Sequence, residues 1–373
     1  MNSIEFRRHL HRHPELSFEE HQTAAFIGEQ LTAAGIAWRP IARTGILARI
    51  EGSLTTPETA QRAVVLRADI DALPIEEQSD LPYASEHRGV MHACGHDLHA
   101  AMLYEALLRL HHQPDFAGVV FGLFQPGEEC NPGGASIVLS EEPFANYTVE
   151  AVIGQHVDWQ LPLGEIGLRE GALMAASDEL RFCVTGHGGH GAMRHLLHDP
   201  VAAAAAFTTR LLSLNDPEQL RVLSIGRLMA EGATNVIPNT VQIEGTLRTF
   251  SEEDRAEAHR TIHRIAEEID REHQTKIEVD INHGYPSVQN DAQLTALARS
   301  AAAELAVPCH TISQLMTAED FGFYTQRYPS LFYRLGVGSE AGRSHTATYA
   351  PSEEVIPTGA GVMVALTHEV LKR

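Results

Sequence analysis

The chain has 373 residues, more than one hydrophobic core usually organises, so two domains are expected. With 28 Lys and Arg against 49 Asp and Glu, its formal charge of −21 excludes the basic surface that nucleic acid or an anionic membrane requires. A small anionic substrate is not excluded, because one arginine or one bound cation can dominate a pocket.

In chain order, residues 7–31 read as helix, interrupted at His13 and Pro14, and 46–50 and 64–68 read as short strands. Leu103, Ala106, Leu107 and Leu110 recur at i, i+3, i+4 and i+7, which predicts a helix over 98–110. Residues 119–124 form a continuous apolar run, the pattern of a strand covered on both faces. A helix start near 133–139 and a second buried strand at 151–156 follow. This alternation predicts an α/β domain with a central, mostly parallel sheet and helices on both faces. Catalytic groups in such sheets gather at the carboxyl ends of the strands, and Glu128, Glu129 and His156 are expected just past them.

Near residue 175 the texture changes. A half-buried strand at 179–185 is followed by a helix at 200–214, strands at 223–228 and 240–249, a helix at 252–273 and a strand at 276–281. The order β-α-β-β-α-β is that of the ferredoxin-like split motif. A helix at 292–306 then restores the first texture. The expected organisation is a discontinuous catalytic domain, residues 1–175 and 285–373, carrying an inserted α+β domain at 176–284. No apolar run approaches the ~18 residues of a membrane span, and no apolar core of a secretory leader follows the first nine residues. The scattered Cys94, Cys130, Cys183 and Cys309 fit a reducing cytoplasm better than a disulfide scaffold.

Two stretches carry chemistry. Residues 91–99 read Met-His-Ala-Cys-Gly-His-Asp-Leu-His, and 125–129 read Gln-Pro-Gly-Glu-Glu. Cys94 and His96 offer a thiolate and an imidazole two residues apart, and Gly95 permits the bend that turns both toward one point. Of the adjacent carboxylates, one can bind a cation while its neighbour handles a proton. The combination suggests a metal hydrolase, in which a cation polarises a carbonyl and a carboxylate activates water. A Cys-x-His pair alone is more often incidental than a ligand set. The Glu pair one βα unit later, and His156 at the end of the next strand, change that balance. Two other readings stay open: Cys94 as a thiol nucleophile beside a histidine, or a non-catalytic binding protein on the same fold, against which the intact Glu pair argues.

At this point the chain resembles the metal-dependent aminoacylase/carboxypeptidase family of metallopeptidases. It is most similar to the amidohydrolase branch that includes hippurate hydrolases, auxin-conjugate hydrolases and N-acetyl-diaminopimelate deacetylases. Besides the two stretches above, the matching segments are Arg8-His9-Leu10-His11 with Pro14-Glu15-Leu16-Ser17, and Arg67-Ala68-Asp69-Ile70-Asp71-Ala72-Leu73-Pro74. They continue with Gly188-Gly189-His190-Gly191-Ala192-Met193, Asn235-Val236-Ile237-Pro238, Gly245-Thr246-Leu247-Arg248-Thr249-Phe250, Glu319-Asp320-Phe321 and Leu335-Gly336-Val337-Gly338.

The resemblance implies cleavage of N-acyl amino acids, or related small amides and dipeptides, by an enzyme with two divalent metal ions per subunit, with zinc, manganese, cobalt or nickel as candidates. Cys94, His96, Glu129, His156 and His345 match the metal ligands, with Cys94 as the bridge, and Glu128 matches the general base. It further implies a homodimer or higher homo-oligomer. His190 of the inserted domain would complete the partner's site as an oxyanion donor, with Asn235 and Arg248 contacting substrate, Arg248 at its carboxylate. Asp71 and Asp97 are candidates for orienting ligand histidines, and read equally well as turn or helix-cap residues. Two departures stand out. Gly127 replaces a common alanine, and Thr346-Ala347-Thr348 follows His345 where the branch has Ser or Asn and then Pro. Among the other histidines of the 22 in the chain, His9, His11, His13, His111 and His112 read as surface, and His92 and His99 as packing or surface. Cys183 and Cys309 read as small buried hydrophobes.

Overall fold

A computed structural model describes residues 1–372. The chain forms two compact units, one of Met1–Leu173, Gln289–Gln314 and Asp320–Arg373, the other of Met174–Val288 and Leu315–Glu319. The short return of Leu315–Glu319 to the second unit has no signal in the hydrophobic pattern.

The first unit is built on an eight-stranded sheet. Its spatial order is Ala37–Ile41, Gly45–Glu51, Val119–Gln125, Arg62–Asp69, Thr148–Asp158, Ser330–Gly336, Ile166–Leu168 and Cys309–Thr311. Arg62–Asp69 runs parallel to both neighbours, Val119–Gln125 and Thr148–Asp158, and Ser330–Gly336 runs parallel to Thr148–Asp158. The outer pairing of Ala37–Ile41 with Gly45–Glu51 is antiparallel. Helices flank this sheet. His96–His112 and Ile356–Leu371 pack on each other and on Arg62–Asp69, as the unbroken burial of the central strands requires. The helical stretch expected over 7–31, with its break at His13 and Pro14, is two helices, Ser3–Arg12 and His21–Ala33, because Pro14 cannot continue the first. His156 lies inside the strand Thr148–Asp158, near its carboxyl end, rather than past it.

The second unit has a four-stranded antiparallel sheet in the order Val222–Met229, Thr240–Thr249, Ala176–Thr185, Lys276–His283. This is the order that the split β-α-β motif produces. Ala176–Thr185 alternates strictly, so Leu180, Phe182 and Val184 point to a core shared with Phe207, Leu211, Ile262 and Ile265. Those partners come from the helices Pro200–Leu212 and Glu252–His273, capped by the side chains of Asp199 and Ser251. No helix among the described residues is long and apolar enough to cross a membrane.

Candidate metal and catalytic site

The site begins at a glycine. Gly95 has φ of 90°, and a Cβ there would lie 2.6 Å from Val157 Cγ2, so both backbone and space demand glycine. The bend it makes leaves Cys94 just before helix His96–His112 and makes His96 the first helical residue. From the next parallel strand, the turn after Val119–Gln125 carries Glu128 and Glu129. Thr148–Asp158 supplies His156. His345 comes from a turn beyond Ser330–Gly336, with φ of 61° and its N–H donated to Ala93 O at 2.8 Å. A left-handed histidine is uncommon, and such conformations concentrate at functional sites.

These side chains converge. Cys94 Sγ is 3.3 Å from His156 Nε2 and 3.3 Å from His345 Nε2. His345 Nε2 is 3.2 Å from Glu129 Oε1, which is 4.0 Å from His96 Nε2. The donor atoms of Cys94, His96 and His156 lie within 4.8 Å of one another, and so do those of Cys94, Glu129 and His345. A third such group is His96, Glu128 and Glu129. Cys94 is therefore common to two groups that share no other residue.

Hydrogen bonds set the ring orientations. His96 Nδ1–H donates to Asp71 O at 3.0 Å and Oδ1 at 3.1 Å, and His156 Nδ1–H donates to Val157 O at 2.7 Å. Both rings thus turn Nε2 inward, and His96 Nε2 is buried with no hydrogen-bond partner. An orphaned buried nitrogen beside a thiol and carboxylates fits a cation. The carboxylates around His96 make its position attractive to positive charge, proton or metal ion. Burial lowers the affinity of His96 for positive charge, but Asp69, Cys94 and Asp71 outweigh it and raise its pKa well above the usual imidazole range. Burial holds His156 well below that range, so its ring is neutral, as a ligand must be. Burial also pushes the Cys94 thiol up to about 12, so a cation is needed to draw out the thiolate. The bond to Glu129 raises the pKa of His345.

Asp71 and Asp97 part company here. Asp71 touches His96, while Asp97 faces away from the donors, toward Arg7 Nε at 2.6 Å and His11 Nδ1 at 2.8 Å. Asp97 therefore orients no ligand histidine; its place in the first helical turn points it to the N-terminal helix instead. His11, read as surface, is fully buried, since its carboxylate partners Asp97 and Glu77 satisfy both ring nitrogens. His92 is buried without a partner on either nitrogen, and burial lowers its pKa to about 4. Cys183 and Cys309 are only partly buried, Cys183 because Phe182 and Val184 claim the inner face of its strand.

Sequence reasoning missed three buried groups behind the site. Asp69 binds His99, Arg67 joins Asp69 to Asp320, and Glu20 Oε1 accepts the N–H of Gly127 at 2.8 Å. The spacing of Asp69 and Asp71 along one strand end was the available signal for the first. Gly127 itself has φ of 63°, and a Cβ would meet Phe18 Cζ at 2.4 Å. An alanine here would require the Phe18 ring to swing aside.

In the second unit, the short strands Gly189–His190 and Val236–Ile237 pair, with His190 opposite Val236, and Gly191 N–H donates to Asn235 O at 2.8 Å. His190 and Asn235 are thus neighbours on one exposed ribbon. Arg248 sits on Thr240–Thr249, where burial lowers its pKa and Nη1 is buried without a partner.

The comparisons with known proteins bear on this geometry. Residues 65–369 match the family described as Peptidase family M20/M25/M40. The chain belongs to this family. An N-acetyl-L-cysteine deacetylase of Bacillus subtilis is 39% identical over 350 residues, covering 92% of this chain and 82% of that protein. An N-acetyldiaminopimelate deacetylase of the same organism is 37% identical over 372 residues, covering 96% of each. A crystal structure of a dinuclear metal-binding peptidase of the M20 family, also from Bacillus subtilis, has a TM-score of 0.88 at 34% identity, covering 99% of this chain and 98% of that one. Membership of the M20 family makes this chain a hydrolase.

Proposed function

We propose that this M20 family member is a dinuclear metal-dependent amidohydrolase that cleaves N-acyl amino acids to a carboxylate and a free amino acid. The observation that carries the reading is Cys94 Sγ, common to the groups Cys94–His96–His156 and Cys94–Glu129–His345, with Glu128 alongside. Each group would hold one divalent cation, with the thiolate between them. Such cations polarise an acyl carbonyl and make water acidic enough to attack near neutral pH. Thiolate and imidazole donors favour zinc, cobalt or nickel over magnesium or calcium, and manganese remains a candidate through the family resemblance.

The chain's own residues supply the rest. Glu128, next to a ligand yet outside both Cys94 groups, accepts a proton from the attacking water. The C–O bond forms, the C–N bond breaks, and Glu128 returns the proton to the leaving amine. His190 donates to the developing oxyanion, and Asn235 assists in holding the substrate. Arg248 Nη1, a buried donor without a partner, is suited to the free α-carboxylate of the amino-acid half. His190 acts in trans, which makes a homodimer the working state. A reducing cytoplasm suits a chain whose four cysteines are all free.

Both named relatives are deacetylases of N-acetyl amino acids, which puts small acyl groups first in the test. The experiment is a panel of N-acetyl, N-benzoyl and indoleacetyl amino acids, assayed after chelation and after return of Mn²⁺, Zn²⁺, Co²⁺ or Ni²⁺. Activity lost on chelation and restored by metal supports the reading. Full activity after exhaustive chelation would overturn it in favour of a Cys94 nucleophile.

A further inference from the structure

Behind the donors lies a fully buried relay. Arg67 Nη1 donates to Asp69 Oδ2 at 2.7 Å, and Asp69 Oδ1 lies 2.6 Å from His99 Nδ1. On the other side of the ring, Val157 N–H donates to His99 Nε2 at 2.9 Å. That direction fixes the tautomer. Nε2 accepts, so it is bare, and the proton sits on Nδ1 and is donated to Asp69. Val157 is the residue after His156, and its carbonyl accepts from His156 Nδ1–H. Val157 is thus gripped on both sides of its Cα: the His156–Val157 peptide at its N–H by His99, and the Val157–Asp158 peptide at its C=O by His156.

Asp69, His96 and His99 have donor atoms within 4.8 Å of one another, which on distance alone resembles a further cation group. The bonds argue otherwise. Both nitrogens of His99 are already engaged, one as donor and one as acceptor, so the ring has no lone pair left for an ion.

We propose that the Asp69–His99 pair is a positioning device for His156: it holds the His156–Val157 peptide, and through it the Val157 carbonyl one peptide on, so that His156 keeps its proton on Nδ1 and presents a bare Nε2 to Cys94. This deepens the proposed function and rests on His156 being a ligand there. A strand residue has only its backbone to fix where its ring starts, and Val157 N–H is used by a side chain rather than by a neighbouring strand. Losing the grip frees the His156–Val157 peptide to rotate, which shifts the Val157 carbonyl and lets His156 turn. Partners one step behind a ligand typically change metal affinity by about 10–100-fold.

Two substitutions divide the device. The amide oxygen of His99→Gln reaches about where Nε2 stands and keeps the Val157 bond while giving up Asp69. The amide nitrogen of His99→Asn reaches about where Nδ1 stands and keeps Asp69 while giving up Val157. Full-length apoprotein would be titrated with Co²⁺ against a chromophoric chelator, following thiolate-to-cobalt charge transfer as the signature of Cys94. The expected result is an affinity about 10–100-fold weaker in His99→Asn for one of two cobalt ions, with His99→Gln closer to wild type. A folded His99→Asn that binds both ions as wild type does would overturn the proposal. If His99→Asn does not fold, ¹⁵N imidazole shifts of the wild-type zinc form decide it: a proton on His99 Nε2 overturns it, and one on Nδ1 supports it. His156→Ala, run in parallel, separates the two readings, because undiminished cobalt binding there would remove His156 from the ligands altogether.

Discussion

The main-chain N–H of Glu129 donates to Asp71 Oδ2 at 2.9 Å, while Asp71 Oδ1 accepts from His96 Nδ1–H at 3.1 Å. One carboxylate thereby spaces two candidate ligands that come from different βα units. Ser17 Oγ donates to the same Oδ2 at 2.7 Å, so Asp71 is held from a third side. These bonds outweigh the burial that would raise its pKa, and Asp71 stays ionised below the usual carboxylate range.

Asp71→Asn replaces one acceptor oxygen with an NH₂ that must face either His96 N–H or Glu129 N–H, both donors. Metal affinity should fall by about 10–100-fold, read by competition with a chelator. Unchanged affinity would mean that Asp71 only caps a turn.

Glu128→Gln is nearly isosteric but cannot accept a proton. Turnover should fall by about 10²–10⁴-fold, while metal content by elemental analysis stays near two ions per chain. Substantial residual activity in a fully loaded variant would remove Glu128 from proton transfer.

Cys94→Ser exchanges a strong thiolate donor for a hydroxyl that is neutral at pH 7. Both donor groups contain Cys94, so both ions should bind more weakly, with little change in the circular dichroism spectrum. An acyl adduct on wild-type Cys94, found by mass spectrometry of metal-free protein with substrate, would instead establish the thiol-nucleophile reading.

His190→Ala should lower kcat with metal content unchanged. Mixed with Glu128→Gln, it should regain activity, because in a heterodimer one site then receives both intact residues. Random exchange gives about half mixed dimers with one competent site each, so the ceiling is about one quarter of wild type for a twofold dimer. No recovery, with exchange verified by native mass spectrometry, means that His190 acts within its own chain or not at all.

In the second unit, Asp178 accepts from Arg255 Nε at 3.0 Å and from His259 Nε2 at 2.6 Å, and its side chain is 1% exposed. Burial alone would raise its pKa, but His259 and Arg255 outweigh it and hold the carboxyl well below the usual range. A depressed carboxylate contributes stability above its unfolded pKa of about 3.9, and that contribution is lost as pH falls toward the lower folded value. Asp178→Ala should cost about 1–3 kcal/mol at neutral pH by leaving Arg255 Nε without its acceptor, while Glu252 still pairs with Nη1. Urea unfolding of the full chain between about pH 5 and pH 2 should be less pH-dependent in the variant. Identical slopes would dismiss this pair as a source of acid sensitivity.

The sequence carried the fold well where burial is extreme. Residues 119–124 read as a doubly covered strand and the alternation around Phe182 as a half-buried one, and both are found so. Cys94, Glu128 and Glu129 were legible because unusual donors sit beside a glycine bend or a strand end. His11 and His99 were not, because a histidine's burial depends on partners far along the chain, Asp97 and Glu77 for one, Asp69 and Val157 for the other. The same distance in sequence hid the turning of Asp97 toward Arg7. Arg248 is intermediate: its strand was readable, but its unpartnered nitrogen is a property of tertiary packing.

The sharing of Cys94 has a consequence for synthesis of the chain. Cys94, His96 and His156 are all encoded before the inserted unit begins, whereas the group with Glu129 waits for His345, after that unit has been made. A nascent chain paused within the insertion already owns one full donor triad and only two-thirds of the other. Yet the strand Thr148–Asp158, which carries His156, pairs with Ser330–Gly336, and the helix His96–His112 packs on Ile356–Leu371, so both donor groups depend on segments made after the insertion.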